Sequence, residues 1–336
     1  PIGLASDAAY LGDDLVPAFL ALLAVPPEVG RIADVDAWRI ATLSALVEAE
    51  DLAFVSVWSP THLLDLVAAL PGVAEEVSRS VTPAARRRLA AALAGDGVDT
   101  TRLWPRLDTV SAWADAGSTV FAARLAALFP QARLEPKGLL ATESAMTLPW
   151  GDGSGCVPAL TSAVLEFADA DGSCRLADDL AVGATYDLVI TTPGGLWRYD
   201  IGDRVECVSR DGAVPRLVFR GRGRLVGDLV GEKLDEAFVA SVLARLAVPA
   251  VLVRRVERRG YDLWLDDDTA DPVAASALVE AGLRADPQYA HARDLGQLAP
   301  LVATRRPGFW AERALARAHA GGRLGDHKPT ALLLDP

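Results

Sequence analysis

Residues 186–192 and 196–208 alternate apolar and polar side chains on either side of Pro193-Gly194-Gly195, which predicts two antiparallel strands closed by a hairpin turn. On the second strand Trp197, Tyr199 and Ile201 fall on one face. Gly202 then removes a side chain immediately before Asp203, so backbone or ligand can approach closely and a carboxylate stands at the edge. A carboxylate offers about four acceptor sites and can take hydrogen bonds from both hydroxyls of a vicinal diol. An exposed strand-end aspartate is the other reading the local sequence allows.

Composition narrows the surroundings of this hairpin. At 336 residues, 51% apolar and 23% charged, the chain can build a large core and is expected to form two domains. A net charge of −12 with a pI near 4.8 argues against a nucleic-acid partner, which needs clustered cations; Arg86-Arg87-Arg88 is expected as a solvated helix face. Cys156, Cys174 and Cys207 show neither paired nor metal-ligand spacing, and a cytoplasmic location is expected. The early apolar run 15–25 is too short for a bilayer and contains Pro17, so no membrane partner is expected, and residues 1–25 are not expected to act as a signal segment. Of the 33 lysines and arginines only Lys137, Lys233 and Lys328 are lysines, so each invites a search for a role that needs a compact ammonium. Lys137 receives none here. Trp58, Trp113 and Trp150 suit either a core or the wall of an apolar pocket.

In chain order, helices are expected over 15–24, from an Asp36 cap to about residue 47, and over 62–70 after the Ser59-Pro60 cap, with a short buried strand at 53–57. His62 is expected on a helix surface or groove. From residue 83 the pattern is helix 83–94, strand 108–113, helix 119–129 and strand 138–141, the signature of a parallel sheet with crossover helices. Ligands sit beyond the carboxyl ends of such strands. Two loops leave there, Ala114-Asp115-Ala116-Gly117 and Thr142-Glu143-Ser144. The hydroxyls of Thr142 and Ser144 can donate to phosphate oxygens and Glu143 can hold a magnesium ion, although the same tripeptide makes ordinary turns and helix caps. Residues 151–155 are glycine-rich without the lysine of a phosphate loop, and connect to a strand at 163–167.

After the hairpin, Phe219-Arg220-Gly221-Arg222-Gly223-Arg224 is expected either as a mobile cationic connector reaching a nucleotide or as a linker with solvated charges. A large domain over 1–219 and a small α+β domain over 220–336 are expected around it, the latter with helices at 234–246, 272–284 and 308–320 and strands at 250–256 and 261–265. Near the end, Gly325-Asp326-His327-Lys328-Pro329-Thr330 places an ammonium before a proline that restricts the backbone.

Together these stretches resemble a known family. Gly138-Leu139-Leu140-Ala141-Thr142-Glu143-Ser144, Val157-Pro158-Ala159-Leu160 with Leu165-Glu166-Phe167, the hairpin through Asp203, then Phe219-Arg220-Gly221-Arg222 and Gly231-Glu232-Lys233 are similar in order and spacing to the bacterial branch of the Gretchen Hagen acyl-acid amido synthetases, within the acyl-adenylate-forming superfamily. The resemblance implies an α/β fold of that superfamily, with a large N-terminal α/β domain carrying a β-hairpin or barrel part and a small mobile C-terminal α+β domain. It implies a ligase that uses ATP and Mg²⁺ to adenylate a small carboxylic acid and then forms an amide with an amine or amino acid. A coenzyme A acid–thiol ligase and a noncatalytic nucleotide-binding remnant are the alternatives.

Carried over residue by residue, the resemblance implies that Glu143 binds magnesium, Thr142 contacts the α-phosphate with Ser144 beside it, and Asp203 binds the ribose hydroxyls. Asp115, Ala116 and Gly117 line the adenine pocket, Arg222 sits at the hinge, and Lys328 is the mobile catalytic lysine. Two departures stand out. Tyr199-Asp200-Ile201-Gly202-Asp203 has Asp200 where the superfamily commonly has arginine, and Arg198 precedes Tyr199. The family's loop for the β- and γ-phosphates belongs upstream of Pro1, so residues 1–336 alone are expected to fall short of full adenylation.

Overall fold

The computed structural model describes residues 13–151, 154–222, 225–319 and 328–334. The chain divides into two compact units. The first comprises residues 1–56, 62–111 and 125–134. Its helices include α1 (Val16–Leu22) and α2 (Val35–Glu48), the latter capped by Asp34, whose carboxylate accepts the Ala37 N–H. Asp34 takes the place expected for Asp36 because it lies just outside the helix with extended backbone, whereas Asp36 is already in the first turn. Strand β1 (Phe54–Ser56) follows, then α3 (Pro60–Ala69), α4 (Ala74–Ser80), α5 (Pro83–Ala92) and α6 (Thr100–Leu103). The Glu48 carboxylate ties α2 to the start of α5 by accepting the N–H and hydroxyl of Thr82 at 2.9 and 2.8 Å. Those two bonds hold its pKa below the ordinary glutamate range. Trp104 is buried and donates its indole N–H to Leu46 carbonyl at 2.7 Å.

Strands β1, β2 (Thr109–Ala112) and β3 (Arg133–Pro136) form a three-stranded sheet in that order, with α7 (Thr119–Leu128) crossing between the last two. β1 and β2 are parallel. The bonds Arg133 N–H to Asp108 and Lys137 N–H to Ala112 advance in step, so β3 is parallel as well. β1 was expected to be buried, yet Phe54 is 55% exposed. The third strand ends at Pro136, and 138–141, expected as a strand, are irregular apart from one bridge between Leu140 and Ala145.

The second unit comprises residues 57–61, 112–124 and 135–336. Its short strands β4 (Thr147–Leu148) and β5 (Val157–Pro158) pair antiparallel. Then β6 (Val164–Ala168), β7 (Cys174–Arg175), β8 (Thr185–Thr191), β9 (Tyr199–Asp211) and β10 (Val214–Arg222) make an antiparallel sheet in the order β10-β9-β8-β6-β7. Its inner face buries Phe167, Tyr186, Leu188, Ile190, Val205 and Cys207. The expected hairpin is therefore present, but its second strand starts at Tyr199, because Arg198 takes a left-handed backbone with φ 45°. Residues 219–222, expected as a connector, are the last part of β10. Residues 223–224 and 325–327 lie outside the described residues, as does the side chain of Arg222.

Strands β11 (Val226–Gly227) and β12 (Leu234–Asp235) pair before α8 (Glu236–Leu243). Strands β13 (Ala250–Arg255) and β14 (Gly260–Leu265), helices α9 (Pro272–Leu283) and α10 (Pro287–Asp294), β15 (Val302–Arg305), α11 (Phe309–His319) and β16 (Leu332–Leu333) complete the chain. Their sheet runs β15-β14-β13-β16 and buries Leu252, Leu263, Val279 and Leu332 against the helices. Among the described residues no helix is long and apolar enough to cross a membrane.

Candidate active site

Beyond β2 the backbone stays paired for one more step on each side. Trp113 donates its N–H to Trp58 carbonyl and Lys137 donates to Ala112, both at 2.9 Å. The chain then turns sharply. Ala116 has φ 50°, Asp115 carbonyl accepts the Ser118 N–H at 3.0 Å, and Thr119 hydroxyl donates to Ala116 carbonyl at 2.9 Å.

This loop meets the chain's C-terminal segment. A β-carbon on Gly117 would stand 2.5 Å from the Pro329 carbonyl oxygen, so only glycine lets the two backbones approach this closely. The approach puts Lys328 beside the loop. Its Nζ lies 4.7 Å from the ring centroid of Trp113 and 5.0 Å from that of Phe219. Lys137 Nζ stands 5.0 Å from the ring of Trp58, whose centroid is 5.7 Å from Trp113. Two ammonium groups on a tryptophan pair thus line one cleft, together with Asp115, Phe219 and an apolar wall that includes Leu139. Each cation–ring contact contributes about 0.5–2 kcal/mol, depending on desolvation.

Asp115 faces the same cleft. Its carboxylate accepts the Phe219 N–H at 3.2 Å, linking the loop to β10. Burial raises its pKa, and the Phe219 N–H, Arg220 and Lys328 pull against that rise. The opposite wall depends on Gly138, where a β-carbon would lie 2.0 Å from Thr147 carbonyl oxygen. Thr147 hydroxyl in turn accepts the Leu139 N–H at 2.8 Å. Nearby, burial and then the Asp115 carboxylate push the Cys156 thiol up to about 11.

The other expected site residues are arranged around this cleft in different ways. Thr142 and Glu143 form the exposed tip of a turn closed by Ala141 N–H to Ser144 carbonyl at 3.0 Å. Neither lines the cleft, although Leu140, two residues before Thr142, does. Ser144 spends its hydroxyl on the Ala145 carbonyl at 3.2 Å. Asp203 is 2% exposed and sits on the same inward face of β9 as Val205, a cleft residue. Its direct partner across the β9–β10 ladder is Arg222. Gly202, with φ 77°, allows the bulge that re-aims the strand here, and its N–H donates to Asp200 at 2.8 Å.

Among the described residues no group of three or more His, Cys, Asp or Glu side chains is placed to hold a metal ion. Magnesium does not need one, since it keeps several waters and takes one or two carboxylates plus phosphate oxygens. A single exposed carboxylate such as Glu143 fits that mode.

Residues 159–222 match the GH3 family central domain. That stretch runs from just before β6 to the end of β10 and contains Asp203 and Arg222. The chain is 37% identical over 73 residues to the probable indole-3-acetic acid-amido synthetase GH3.2 of Oryza sativa subsp. japonica, and 34% identical over 86 residues to the indole-3-acetic acid-amido synthetase GH3.4 of Arabidopsis thaliana. These stretches cover 21% and 26% of this chain and 12% of each relative. In three dimensions the chain superposes on the GH3.15 acyl acid amido synthetase with a TM-score of 0.77 at 16% identity, over 96% of this chain and 69% of that one. A complex of AtGH3.15 with 2,4-DB gives the same TM-score over 88% and 62%. The chain therefore has the mixed α/β fold of the GH3 acyl acid amido synthetases.

Lys137 is the cleft residue to which sequence reasoning gave no role. Its only signal was scarcity: two of the chain's three lysines meet in this one cleft. Of the three tryptophans singled out, Trp113 lines the cleft and Trp58 backs it, while Trp150 is 67% exposed.

Proposed function

We propose that the protein is an ATP-dependent acyl-acid amido synthetase. In the first step a carboxylate oxygen of the acid attacks the α-phosphorus of ATP, the bond to pyrophosphate breaks, and an acyl-adenylate forms. In the second an amine attacks the acyl carbon, the bond to AMP breaks, and the amine's proton passes to solvent. The observation that carries this reading is the meeting of Lys328, Lys137 and Asp115 in one cleft beyond a parallel sheet, in a chain with an amido synthetase fold.

The work assigned to the protein is positioning and charge neutralisation, which suit a transfer whose charge develops on phosphate oxygens. Lys328 neutralises the charge between the attacking carboxylate and the α-phosphate, and Lys137 adds a second ammonium on the same wall. Asp115, Ala116 and Gly117 border the adenine. Asp203 accepts from the ribose hydroxyls, with Arg222 opposite it on β10. Thr142 and Ser144 donate to phosphate oxygens, which requires Ser144 to exchange its present backbone partner. Magnesium, held by Glu143, would neutralise charge on the phosphates.

An acyl acid as substrate is supported by the 2,4-DB complex of the superposable relative, and an amino acid as acceptor by the names of the two plant relatives. A cytoplasmic setting is supported by three cysteines that form no disulfide.

The test is acid-dependent exchange of labelled pyrophosphate into ATP, followed by trapping of the acyl group with hydroxylamine, an amino acid or coenzyme A. Exchange that needs an acyl acid, short of full adenylation activity for residues 1–336 alone, with amide formed from the amino acid, is expected. Thioester formation in place of amide, or no exchange with any of a panel of acyl acids, contradicts the reading.

A further inference from the structure

Lys328 owes its place to a short stretch of chain whose far end is fixed. Leu332 and Leu333 pair in parallel with Leu252 and Val253, and Leu252 donates its N–H to Ala331 carbonyl at 2.9 Å. Ala331, Leu332 and Leu333 are all buried. Only Pro329 and Thr330 separate this anchor from the lysine, and the proline ring fixes one of the few free torsions.

Thr330 is held from a second direction as well. Its hydroxyl donates to the Glu236 carboxylate, and the Ala331 N–H donates to the same carboxylate oxygen at 3.2 Å. Glu236 is itself immobilised at the first position of α8, whose cap residue Asp235 accepts the N–H groups of Ala237 and Phe238 and pairs with Arg204 at 2.9 Å. Thr330 hydroxyl also lies 3.1 Å from Leu332 carbonyl, an acceptor in its own strand. A hydroxyl has one hydrogen, and the charged acceptor is the stronger of the two. Opposite the clamp, the bare α-carbon of Gly117 faces Pro329 carbonyl and Thr330 Cα, so the segment is gripped between α8 and the loop after β2.

We propose that Thr330 and Glu236 are positioning residues that set the Lys328 ammonium over Trp113 and Phe219, with Gly117 leaving the space the clamped segment needs. The role given to Lys328 rests on the proposed function; its placement by the clamp does not. Loss of the clamp releases the lysine from the cleft and impairs the adenylation half-reaction, where an ammonium must meet the developing charge. Amide formation from an acyl-adenylate already made does not need that ammonium and is spared.

The scarcity of lysine makes the placement directly observable. Reductive methylation with ¹³C-formaldehyde marks Lys137, Lys233 and Lys328 while keeping their charge, so three lysine methyl resonances report on the whole chain. Among the described residues Lys137 and Lys328 lie over aromatic rings and Lys233 does not, so ring currents displace the first two from the third. In Thr330→Val and Glu236→Ala the Lys328 resonance is expected to move to the Lys233 position while that of Lys137 stays, and Gly117→Ala is expected to do the same from the other side. The Lys137 resonance reports that a variant is folded. A Lys328 resonance at the Lys233 position in the unaltered protein overturns the proposal without any variant. So does an offset that survives both clamp substitutions.

Half-reaction assays on Thr330→Val and Glu236→Ala separate placement from function. A fall of about tenfold or more in pyrophosphate exchange, with amide formation from supplied acyl-adenylate nearly unchanged, supports both claims. A lost offset with unchanged exchange overturns the link between the clamp and adenylation. A lost offset in a protein whose unaltered form catalyses no exchange leaves the placement standing and removes the proposed function instead.

Discussion

Asp203 and Arg222 stand directly opposite each other in the ladder that joins β9 to β10. They are 19 positions apart in sequence, and one bulge on each strand shapes the register around them. Asp203 is 2% exposed, and the proposed function gives it the ribose hydroxyls. Asp203→Ala is expected to weaken AMP binding by about 1.5–3 kcal/mol, on the order of 10–100-fold, as loss of hydrogen bonds to a charged group does. The unaltered protein is expected to prefer AMP over 2′,3′-dideoxy-AMP, and the variant to lose that preference. Calorimetric titration of both nucleotides checks it; a preference that persists in the variant counts against the assignment.

Asp115 gives a pH signature. Its folded-state pKa is raised, chiefly by burial, above the ordinary aspartate value of 3.8. The folded protein therefore holds this proton more tightly than the unfolded chain does. The stability this contributes is full below 3.8 and is lost as pH rises through the folded pKa. Asparagine carries no such dependence. Urea unfolding at a series of pH values is expected to show Asp115→Asn gaining on the unaltered protein as pH rises past 3.8, and a difference that stays flat would count against a buried, proton-retaining Asp115.

The three thiols are expected to react unequally. Burial raises the pKa of Cys156 and Cys207, which are 3% and 0% exposed. Cys174 is partly exposed at the sheet edge, with an Arg198 nitrogen 3.2 Å from its sulfur. A thiol reagent at pH 8 is expected to label Cys174 rapidly in the native protein and all three cysteines after denaturation. Rapid native labelling of Cys156 would contradict its burial.

Glu232 is fully buried and accepts the N–H groups of Leu229 and Val230 and the hydroxyl of Tyr261. Tyr261→Phe removes one donor from a buried carboxylate and is expected to destabilise the protein by about 1–3 kcal/mol. The shift in urea midpoint at constant slope measures it, and no shift would mean that the carboxylate is satisfied without the tyrosine.

Much of this arrangement was legible in the sequence, because alternation and glycine placement report directly on strands. The hairpin, the parallel strand at 109–112 and most of the C-terminal elements follow from such patterns. The third parallel strand did not, since Arg133-Leu134-Glu135-Pro136 is only four residues long, with one aliphatic side chain and a proline at its end. The apolar run after it, Leu139-Leu140, attracted the strand assignment but is apolar because it lines the cleft. Arg220 looked like part of a mobile connector because its partner, Glu206 at 2.8 Å, sits on the neighbouring strand, where no local pattern can reveal it. The pairing of Lys137 with Trp58 and of Lys328 with Trp113 likewise joins positions 79 and 215 residues apart, visible only once the chain is folded.

One AMP molecule is expected to draw contacts from Asp115, Lys137 and Lys328 together. Titrating AMP into the unaltered protein and into Lys328→Ala and Lys137→Ala measures that directly. A single site, weakened in both variants, is the predicted result; absence of binding, or binding that neither lysine affects, would contradict it.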